Sequence, residues 1–174
     1  HRGPTDYDVR RAALAELQSR VAKIHKPGQL AKELLAHSED GHIKLYLIHR
    51  VLSFRGQHAD IFDHGNYIPL DCSGEGSEHV CAFSRSYGQH TLVVVVPRQL
   101  LILMKGQTDW PLGTAVWKDT KLALAGLEAG ATFNNVLTGE TVKVGGSRKT
   151  CDLGVGAVLR SFPVALLERR QASA

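Results

Sequence analysis

The change of apolar spacing between residues 41 and 70 constrains the fold of this chain more than any other feature. From Gly41 to Gly65 the apolar residues recur every three or four positions, which predicts one long amphipathic helix with a face made of Ile43, Leu47, Ile48, Val51 and Leu52. From Asn66 onward the apolar spacing falls to two, which is typical of strands. We therefore expect an α+β protein with a helical segment, residues 1–64, and an antiparallel β-sandwich domain, residues 65–174.

Two further helices are predicted before this one. A start signal at Pro4, Thr5 and Asp8 precedes apolar residues with helical spacing, namely Val9, Ala13, Leu17, Val21 and Ile24. Pro27 ends that helix, because proline has no backbone N–H to donate and restricts the residue before it. A second helix follows, with apolar residues Leu30, Leu34 and Leu35. In the third helix Gly56 predicts a bend or an early end, since glycine costs about 1 kcal/mol there relative to alanine.

The second half of the chain has short apolar runs separated by turn residues. The candidate strands are residues 67–70, 80–84, 91–96, 100–104, 121–124, 133–137, 141–144, 153–159 and 162–166. About eight antiparallel strands of this kind favour a sandwich. Residues 92–96 include no polar residue, so we expect that strand to be covered on both faces. The sequence Leu137-Thr138-Gly139-Glu140 predicts a tight hairpin with Gly139 in the left-handed conformation.

Length and charge exclude several classes of protein. The chain has 174 residues, whereas a complete (β/α)8 barrel needs about 250. The net charge is +4, and the basic pairs lie far apart in the sequence, so no nucleic-acid partner is predicted. No apolar run approaches the ~20 residues that span a bilayer, so no membrane partner is predicted. The first residue is His1 rather than methionine, and we expect a natural start to be missing.

The three cysteines, Cys72, Cys81 and Cys151, are sparse and odd in number. A secreted disulfide scaffold has denser cysteines in even number, so these residues predict reduced thiols and a cytoplasmic protein. A disulfide between Cys72 and Cys81 stays open as an alternative.

No group of side chains has the spacing of a catalytic or metal site. The carboxylates fall on helix ends, loops and strand edges, so no catalytic residue is predicted. Of the nine histidines, His37 with His42 and His58 with His64 are the closest pairs considered, and neither pair has a matching third ligand. Neither a metal nor a cofactor is therefore predicted. The glycine-rich stretch around Gly145 lacks the spacing of a phosphate-binding loop and is interpreted as a flexible turn.

Several sequence blocks follow one another along nearly the whole chain. They are Arg2-Gly3-Pro4-Thr5-Asp6-Tyr7, Gly41-His42-Ile43-Lys44-Leu45-Tyr46-Leu47, Ile61-Phe62-Asp63-His64-Gly65-Asn66-Tyr67, Glu78-His79-Val80-Cys81-Ala82-Phe83, Trp110-Pro111-Leu112-Gly113, Trp117-Lys118-Asp119-Thr120, Asn135-Val136-Leu137-Thr138-Gly139-Glu140 and Phe162-Pro163-Val164-Ala165-Leu166-Leu167. In these residues and in this order the chain resembles the C-terminal part of maltooligosyltrehalose synthases, which are enzymes of the α-amylase superfamily. The first block departs from the family pattern at Gly3 and Thr5, where arginine and valine are usual.

The resemblance implies that residues 1–64 are the end of a catalytic (β/α)8 barrel. It also implies an intramolecular transglucosylase, which converts the reducing-end α-1,4 bond of a maltooligosaccharide into an α,α-1,1 (trehalose) bond by retaining-glycosidase chemistry. The family's catalytic carboxylates precede this chain, so we expect the chain to be inactive alone and to meet maltooligosaccharide only through the missing barrel. Arg2, Asp6 and Tyr7 are expected to approach the substrate in the intact enzyme.

The alternative is a stand-alone carbohydrate-binding or interaction module. In that case Trp110 and Trp117 would stack on sugar rings, whereas the resemblance favours packing of both rings against the protein. Without the barrel, the apolar face of the third helix is expected to pack on the sandwich, on the first helix or on a second copy of the chain.

Overall fold

A computed structural model describes residues 6–23, 27–147 and 150–170 of the chain. Its first four α-helices are α1 (Tyr7–Lys23), α2 (Pro27–Ala36), α3 (His42–Gln57) and α4 (Ala59–Asp63). Three short helices lie among the strands, namely α5 (Leu100–Leu103), α6 (Gly113–Trp117) and α7 (Val155–Val158). None of the helices in these ranges is long and apolar enough to cross a membrane.

The β-structure of the described residues forms two antiparallel sheets. The ten strands are β1 (Asn66–Pro69), β2 (Cys72–Ser73), β3 (Val80–Tyr87), β4 (His90–Pro97), β5 (Lys121–Leu124), β6 (Thr132–Asn135), β7 (Thr141–Lys143), β8 (Gly145–Gly146), β9 (Cys151–Gly154) and β10 (Ala165–Arg170). Sheet 1 has the order β1-β3-β4-β10-β6-β7 and sheet 2 the order β2-β5-β9-β8. The expected fold, helices followed by an antiparallel β-structure, is confirmed. The division into domains at residues 64 and 65 stays a prediction.

Sheet 1 lies between sheet 2 and the N-terminal helices α1, α2 and α3. One apolar core joins its inner residues, such as Val93 and Phe133, to Leu122 and Leu153 of sheet 2. A second core joins its other face to α1, α2 and α3, with the buried side chains Leu17, Leu30, Leu34, Phe54, Leu92 and Leu166. Strand β4 contributes alternately to both cores, which confirms that the all-apolar run is covered on its two faces. Only its end is open, since Val96 is exposed.

Side chains of α3 attach the helices to sheet 1. The hydroxyl of Tyr46 donates to the carbonyl of Leu137 at 2.6 Å, and Nη2 of Arg50 donates to the carbonyl of Val136 at 2.6 Å. Both carbonyls belong to the turn between β6 and β7. Burial raises the pKa of the Tyr46 hydroxyl more than the nearby Arg50 lowers it, so the net pKa lies above the usual 10.0. The hydroxyl is therefore protonated and can donate at neutral pH. Buried polar groups of helix and sheet thereby satisfy each other.

An arginine of sheet 1 also donates to the helices. Nη1 of Arg85, on β3, donates to the carbonyl of Ile61 at 3.1 Å and also to that of Phe62. These carbonyls lie at the C-terminal end of α4, where no residues follow to satisfy them within the helix. A cation at that end also complements the helix dipole.

The turn predicted at Gly139 is confirmed, whereas Pro4 and Thr5 of the predicted start signal lie outside the described residues. Oδ1 of Asp6 accepts the backbone N–H groups of Asp8 and Val9, both at 3.1 Å, so Asp6 itself is the cap at the start of α1. The hairpin between β6 and β7 turns at Gly139, which has a φ of 71°. A Cβ is strained in that conformation, and glycine avoids the strain.

Two strand predictions are wrong. Residues 100–104 form the single helical turn α5 instead of a strand, between Gln99 and Lys105, both of which have positive φ. The predicted strand over residues 153–159 ends at Gly154 and continues as α7. Apolar residues at 155, 158 and 159 also fit a helical period, so the alternation alone could not separate the two structures.

Two further expectations need correction. The third helix does not run on to Gly65 but divides at His58 into α3 and α4. Gly56 lies within the last turn of α3, which ends at Gln57, so the early end predicted near Gly56 is confirmed. The glycine-rich turn contains a short strand, β8, which pairs with β9 through Gly145 and Asp152.

The two tryptophans have different environments. Trp117 is fully buried between the sheets, and its Nε1 donates to the carbonyl of Pro111 at 2.7 Å. Its ring also lies close to Gly76, where a Cβ would come within 3.2 Å of it. Trp110 is only half-buried. The expected packing role is confirmed for Trp117, whereas that of Trp110 stays a prediction.

Trp117→Ala should lower the free energy of unfolding by about 3–5 kcal/mol, because it removes a buried indole and leaves a cavity. Urea denaturation measures this loss, and Trp110→Ala, which removes a half-buried ring, should cost clearly less. Equal stability of Trp117→Ala and the unaltered chain would contradict the burial of this ring.

Glu140 generates a pH-dependent prediction. Burial raises the pKa of this carboxyl, but hydrogen bonds from Ser161 (2.8 Å), Thr138 and Arg160 (both 3.1 Å) outweigh it, so the net pKa lies below the usual 4.5. A lowered folded-state pKa stabilises the fold above the unfolded-state pKa, and this contribution is lost as pH falls through the folded-state value.

Glu140→Gln should therefore cost about 1–3 kcal/mol at neutral pH, the range for hydrogen bonds to charged groups. The difference in stability from the unaltered chain should shrink as the pH falls from about 4.5 through the lower pKa of the folded-state carboxyl. Urea denaturation over a pH series measures it, with the exposed Glu128→Gln as the matched control. A difference that stays constant with pH would show that the charge of Glu140 has no such role.

Candidate functional site

The predicted substrate-binding residues lie at the start of the helical segment. Asp6 is the helix cap described above, and Tyr7 is the exposed first residue of α1. Arg2 lies outside the described residues. The structure thus places Asp6 and Tyr7 side by side on the surface, and their approach to substrate in an intact enzyme stays a prediction.

Many carboxylates act as caps or ion-pair partners. The ion pairs include Asp8 with Arg11, Glu33 with Arg20, Glu75 with Lys118, Asp152 with Lys121 and Glu140 with Arg160. Oδ1 of Asp119 accepts the backbone N–H of Glu75 at 3.0 Å. These interactions are structural, since each carboxylate neutralises a cation or satisfies a backbone donor.

An apolar surface runs across α1 and α3 on the side away from sheet 1. It consists of Val9, Ile48 and Leu52, which are 64%, 45% and 60% exposed, and we call it the outer face. Val9 and Ile48 line the same shallow cleft of about 370 Å³, which Arg10 and Lys44 border with positive charge. Ile48 and Leu52 are one helical turn apart, so they present one continuous strip.

This surface corrects the expectation for the third helix. Ile43, Leu47 and Val51 do pack against the second core, together with the buried Tyr46 and Phe54. Ile48 and Leu52 belong to neither apolar core and remain exposed. The predicted apolar face includes too many residues. The hydrogen bonds of Tyr46 and Arg50 fix the rotation of α3 so that Ile48 and Leu52 point outward.

A second feature lies at the end of sheet 1, beside the break between α3 and α4. His58 is the residue at that break, His90 begins β4 and Glu168 lies on β10. The three side chains, here called the His–Glu cluster, are only 17–20% exposed. In the register of β4 and β10, Glu168 pairs with Leu92, so its side chain shares the helix-facing side of the sheet with His90.

The distances in the His–Glu cluster are short. Nε2 of His90 lies 2.9 Å from Oε1 of Glu168, and Nε2 of His58 lies 3.9 Å from the same oxygen. Nε2 of His90 is buried, and its contact with Oε1 of Glu168 lies outside ordinary hydrogen-bond geometry but is short enough for an ion pair when the imidazole is protonated. Arg170 completes the group, with Nε 2.9 Å from Oε1 of Glu168 and Nη2 2.8 Å from Nδ1 of His58.

Burial holds His90 towards its neutral form. It lowers the pKa of this imidazole below 6.5, and the nearby Arg170 and His58 act in the same direction, while Glu168 opposes them. Beside the cluster opens a polar cleft of about 690 Å³ whose wall includes Tyr87 and Gln89. The chain thus places two imidazoles and a carboxylate together at the edge of an open cleft.

Sequence reasoning missed this cluster. It considered His58 together with His64, which instead lies with its ring 5.9 Å from that of Tyr87. The true neighbours come from the helical break and from two strands that are far apart in the sequence. Only the pairing of β10 with β4 brings Glu168 next to His90, and no spacing rule along the chain contains that pairing.

Comparison with known proteins gives little help with identity. No protein-family profile matches the chain, and no curated protein matches its sequence. Among solved structures, one similar chain is a noncanonic maltogenic alpha-amylase from Thermotoga neapolitana, with a TM-score of 0.49 and 16% identity. The match covers 74% of this chain, which spans only 26% of that enzyme. A likeness of this strength assigns neither family nor activity.

The outer face predicts self-association of the isolated chain. Exposed apolar strips of this kind are buried by association, and each fully buried side chain contributes about 1.5–3 kcal/mol. Sedimentation velocity should show dimers that increase with concentration, and the double variant Ile48→Asp/Leu52→Asp should shift the equilibrium to monomer.

The matched control uses another exposed apolar pair. Leu101 and Ile102 on α5 are 78% and 66% exposed, and Leu101→Asp/Ile102→Asp should leave the equilibrium unchanged. Dissociation by the control pair alone would place the contact on α5 and contradict this prediction.

Proposed function

We propose that this chain is the C-terminal part of a maltooligosyltrehalose synthase, in which it supports the catalytic barrel without supplying catalytic residues. The observation that carries the proposal is the set of sequence blocks that resemble this family in order along nearly the whole chain. The sequence of helices and then antiparallel sheets is consistent with it. Residues 1–64 would be the end of the barrel and residues 65–174 the domain that follows.

The blocks contain residues that hold the fold together. Tyr46, in the second block, donates to Leu137 in a later one. Oδ1 of the buried Asn135 accepts the backbone N–H of Leu137 at 3.0 Å, which shapes the turn that receives α3. Trp117 fills the space between the sheets. These contacts give the residues of the blocks a structural role, which supports the proposal that the chain's part in the enzyme is structural.

The outer face would be the surface that contacts the barrel. Val9, Ile48 and Leu52 belong to the helices that the proposal assigns to the barrel's end, and they are exposed on the side away from the sheets. In a whole enzyme these residues would pack on the rest of the barrel, as outer helices of such barrels do. The barrel would then occupy the surface by which the isolated chain associates.

The chemistry would reside in the upstream barrel. A retaining mechanism uses one carboxylate as nucleophile and a second as acid and base, with the terminal glucose as acceptor in place of water. The carboxylates of this chain serve as caps and ion-pair partners instead. Cys72, Cys81 and Cys151 are free thiols, which supports a reducing, cytoplasmic setting for the proposal.

The pure chain should form no glycosyl-trehalose and release no glucose from maltopentaose, while the product of the gene extended upstream should form glycosyl-trehalose. Chromatography of the reaction products measures both. Thermal unfolding of the same preparation verifies that the isolated chain is folded during the assay.

Two results would overturn the proposal. Glycosyl-trehalose formation by the pure chain, above an empty-vector preparation, would show that catalytic groups lie within it. An upstream reading frame without a (β/α)8 pattern, together with saturable binding of maltopentaose by the chain, would favour the stand-alone carbohydrate-binding module.

A further inference from the structure

We propose that His58, His90 and Glu168 bind one divalent transition-metal ion of the zinc class. This inference is independent of the proposed function. It rests on the donor atoms that the fold brings together from a helical break and two strands. Two imidazoles and a carboxylate are a donor set that Zn²⁺ accepts, with a fourth position left for water.

The distances are close to those that a metal requires. Around a tetrahedral Zn²⁺ with bonds of about 2.0–2.1 Å, neighbouring ligand atoms lie about 3.3 Å apart. Oε1 of Glu168 is 2.9 Å from Nε2 of His90 and 3.9 Å from Nε2 of His58. All three donor atoms lie within 4.8 Å of one another. Side-chain shifts of roughly half an ångström would bring each separation from Glu168 to the required value.

The contact between His90 and Glu168 brings two metal-donor atoms together. Nε2 of His90 is buried, and a carboxylate oxygen lies 2.9 Å away, outside ordinary hydrogen-bond geometry. With the ring proton on Nδ1, Nε2 presents a lone pair to this oxygen, and a positive charge between or beside the two atoms removes their repulsion. A metal ion bound to both would satisfy the nitrogen and the oxygen together.

Arg170 supplies the positive charge in the described structure. Its guanidinium contacts both Glu168 and His58, so it competes with a metal for the same lone pairs. The Arg170 side chain is 59% exposed and can turn to solvent without leaving a charge buried. The metal would therefore bind in exchange for Arg170, and removal of the guanidinium should strengthen binding.

A bound ion would also connect separate parts of the fold. His58 lies where α3 ends and α4 begins, with its ring 4.3 Å from that of Phe54 in the second core. His90 and Glu168 belong to the two central strands of sheet 1. Because the unfolded chain does not hold these ligands together, metal binding should stabilise the folded state.

The test is zinc titration of the chelator-treated chain by isothermal calorimetry near neutral pH. We expect one equivalent of zinc to bind, and His58→Ala, His90→Ala and Glu168→Gln each to weaken binding at least about tenfold. Arg170→Gln should bind more tightly than the unaltered chain. His64→Ala is the matched control and should bind normally. At zinc concentrations about 100 times Kd, the melting temperature should rise by about 5–10 °C.

Thermal unfolding in the presence of chelator verifies that each variant is folded. If His90→Ala is not folded, the zinc affinities of His58→Ala and Glu168→Gln test the proposal. Cobalt(II) spectra separate this site from the free thiols, since thiolate ligands add a charge-transfer band in the near ultraviolet. The proposal is overturned by no zinc binding, by binding that His58→Ala and Glu168→Gln leave unchanged, or by a thiolate band that accounts for the bound ion.

Discussion

The contact between α3 and the β6–β7 turn is the constraint on which the rest of the structure depends. Tyr46 donates to the carbonyl of Leu137 and Arg50 to that of Val136, and these two successive carbonyls lie at the edge of the second core. Buried carbonyls without donors would each cost about 1–3 kcal/mol, so these bonds fix both the position and the rotation of α3. The turn is prepared for them by Asn135 and by the left-handed Gly139.

The rotation of α3 decides what the helices present to their surroundings. With Tyr46 and Phe54 turned inward, Ile48 and Leu52 must face outward, and α1 adds Val9 to the same surface. His58 lies at the break where α3 ends, and its imidazole points towards Glu168 of sheet 1. The outer face therefore follows from the position of α3 on the β6–β7 turn, whereas the His–Glu cluster also requires the pairing of β4 with β10.

The sequence predicts those parts of the fold whose signals are local. The hairpin at Gly139 and the doubly covered strand β4 follow from turn chemistry and from an apolar run without polar residues. Residues 100–104 and 155–158 were misassigned because short apolar stretches fit two periods. The position of α3 depends on hydrogen bonds to a distant turn, and the contact of His90 with Glu168 depends on the pairing of two distant strands. No local sequence pattern contains either interaction.

The central claim is that α3 makes the helices and the sheets one cooperative unit. Equilibrium denaturation of the Trp110→Phe variant in urea tests it with two probes, the far-ultraviolet circular dichroism of the helices and the fluorescence of the remaining, buried Trp117, which lies between the sheets. Coincident transitions with a single midpoint are the predicted result. Loss of the helical signal at a lower urea concentration than the tryptophan transition would show that the helices unfold separately, and it would contradict this account.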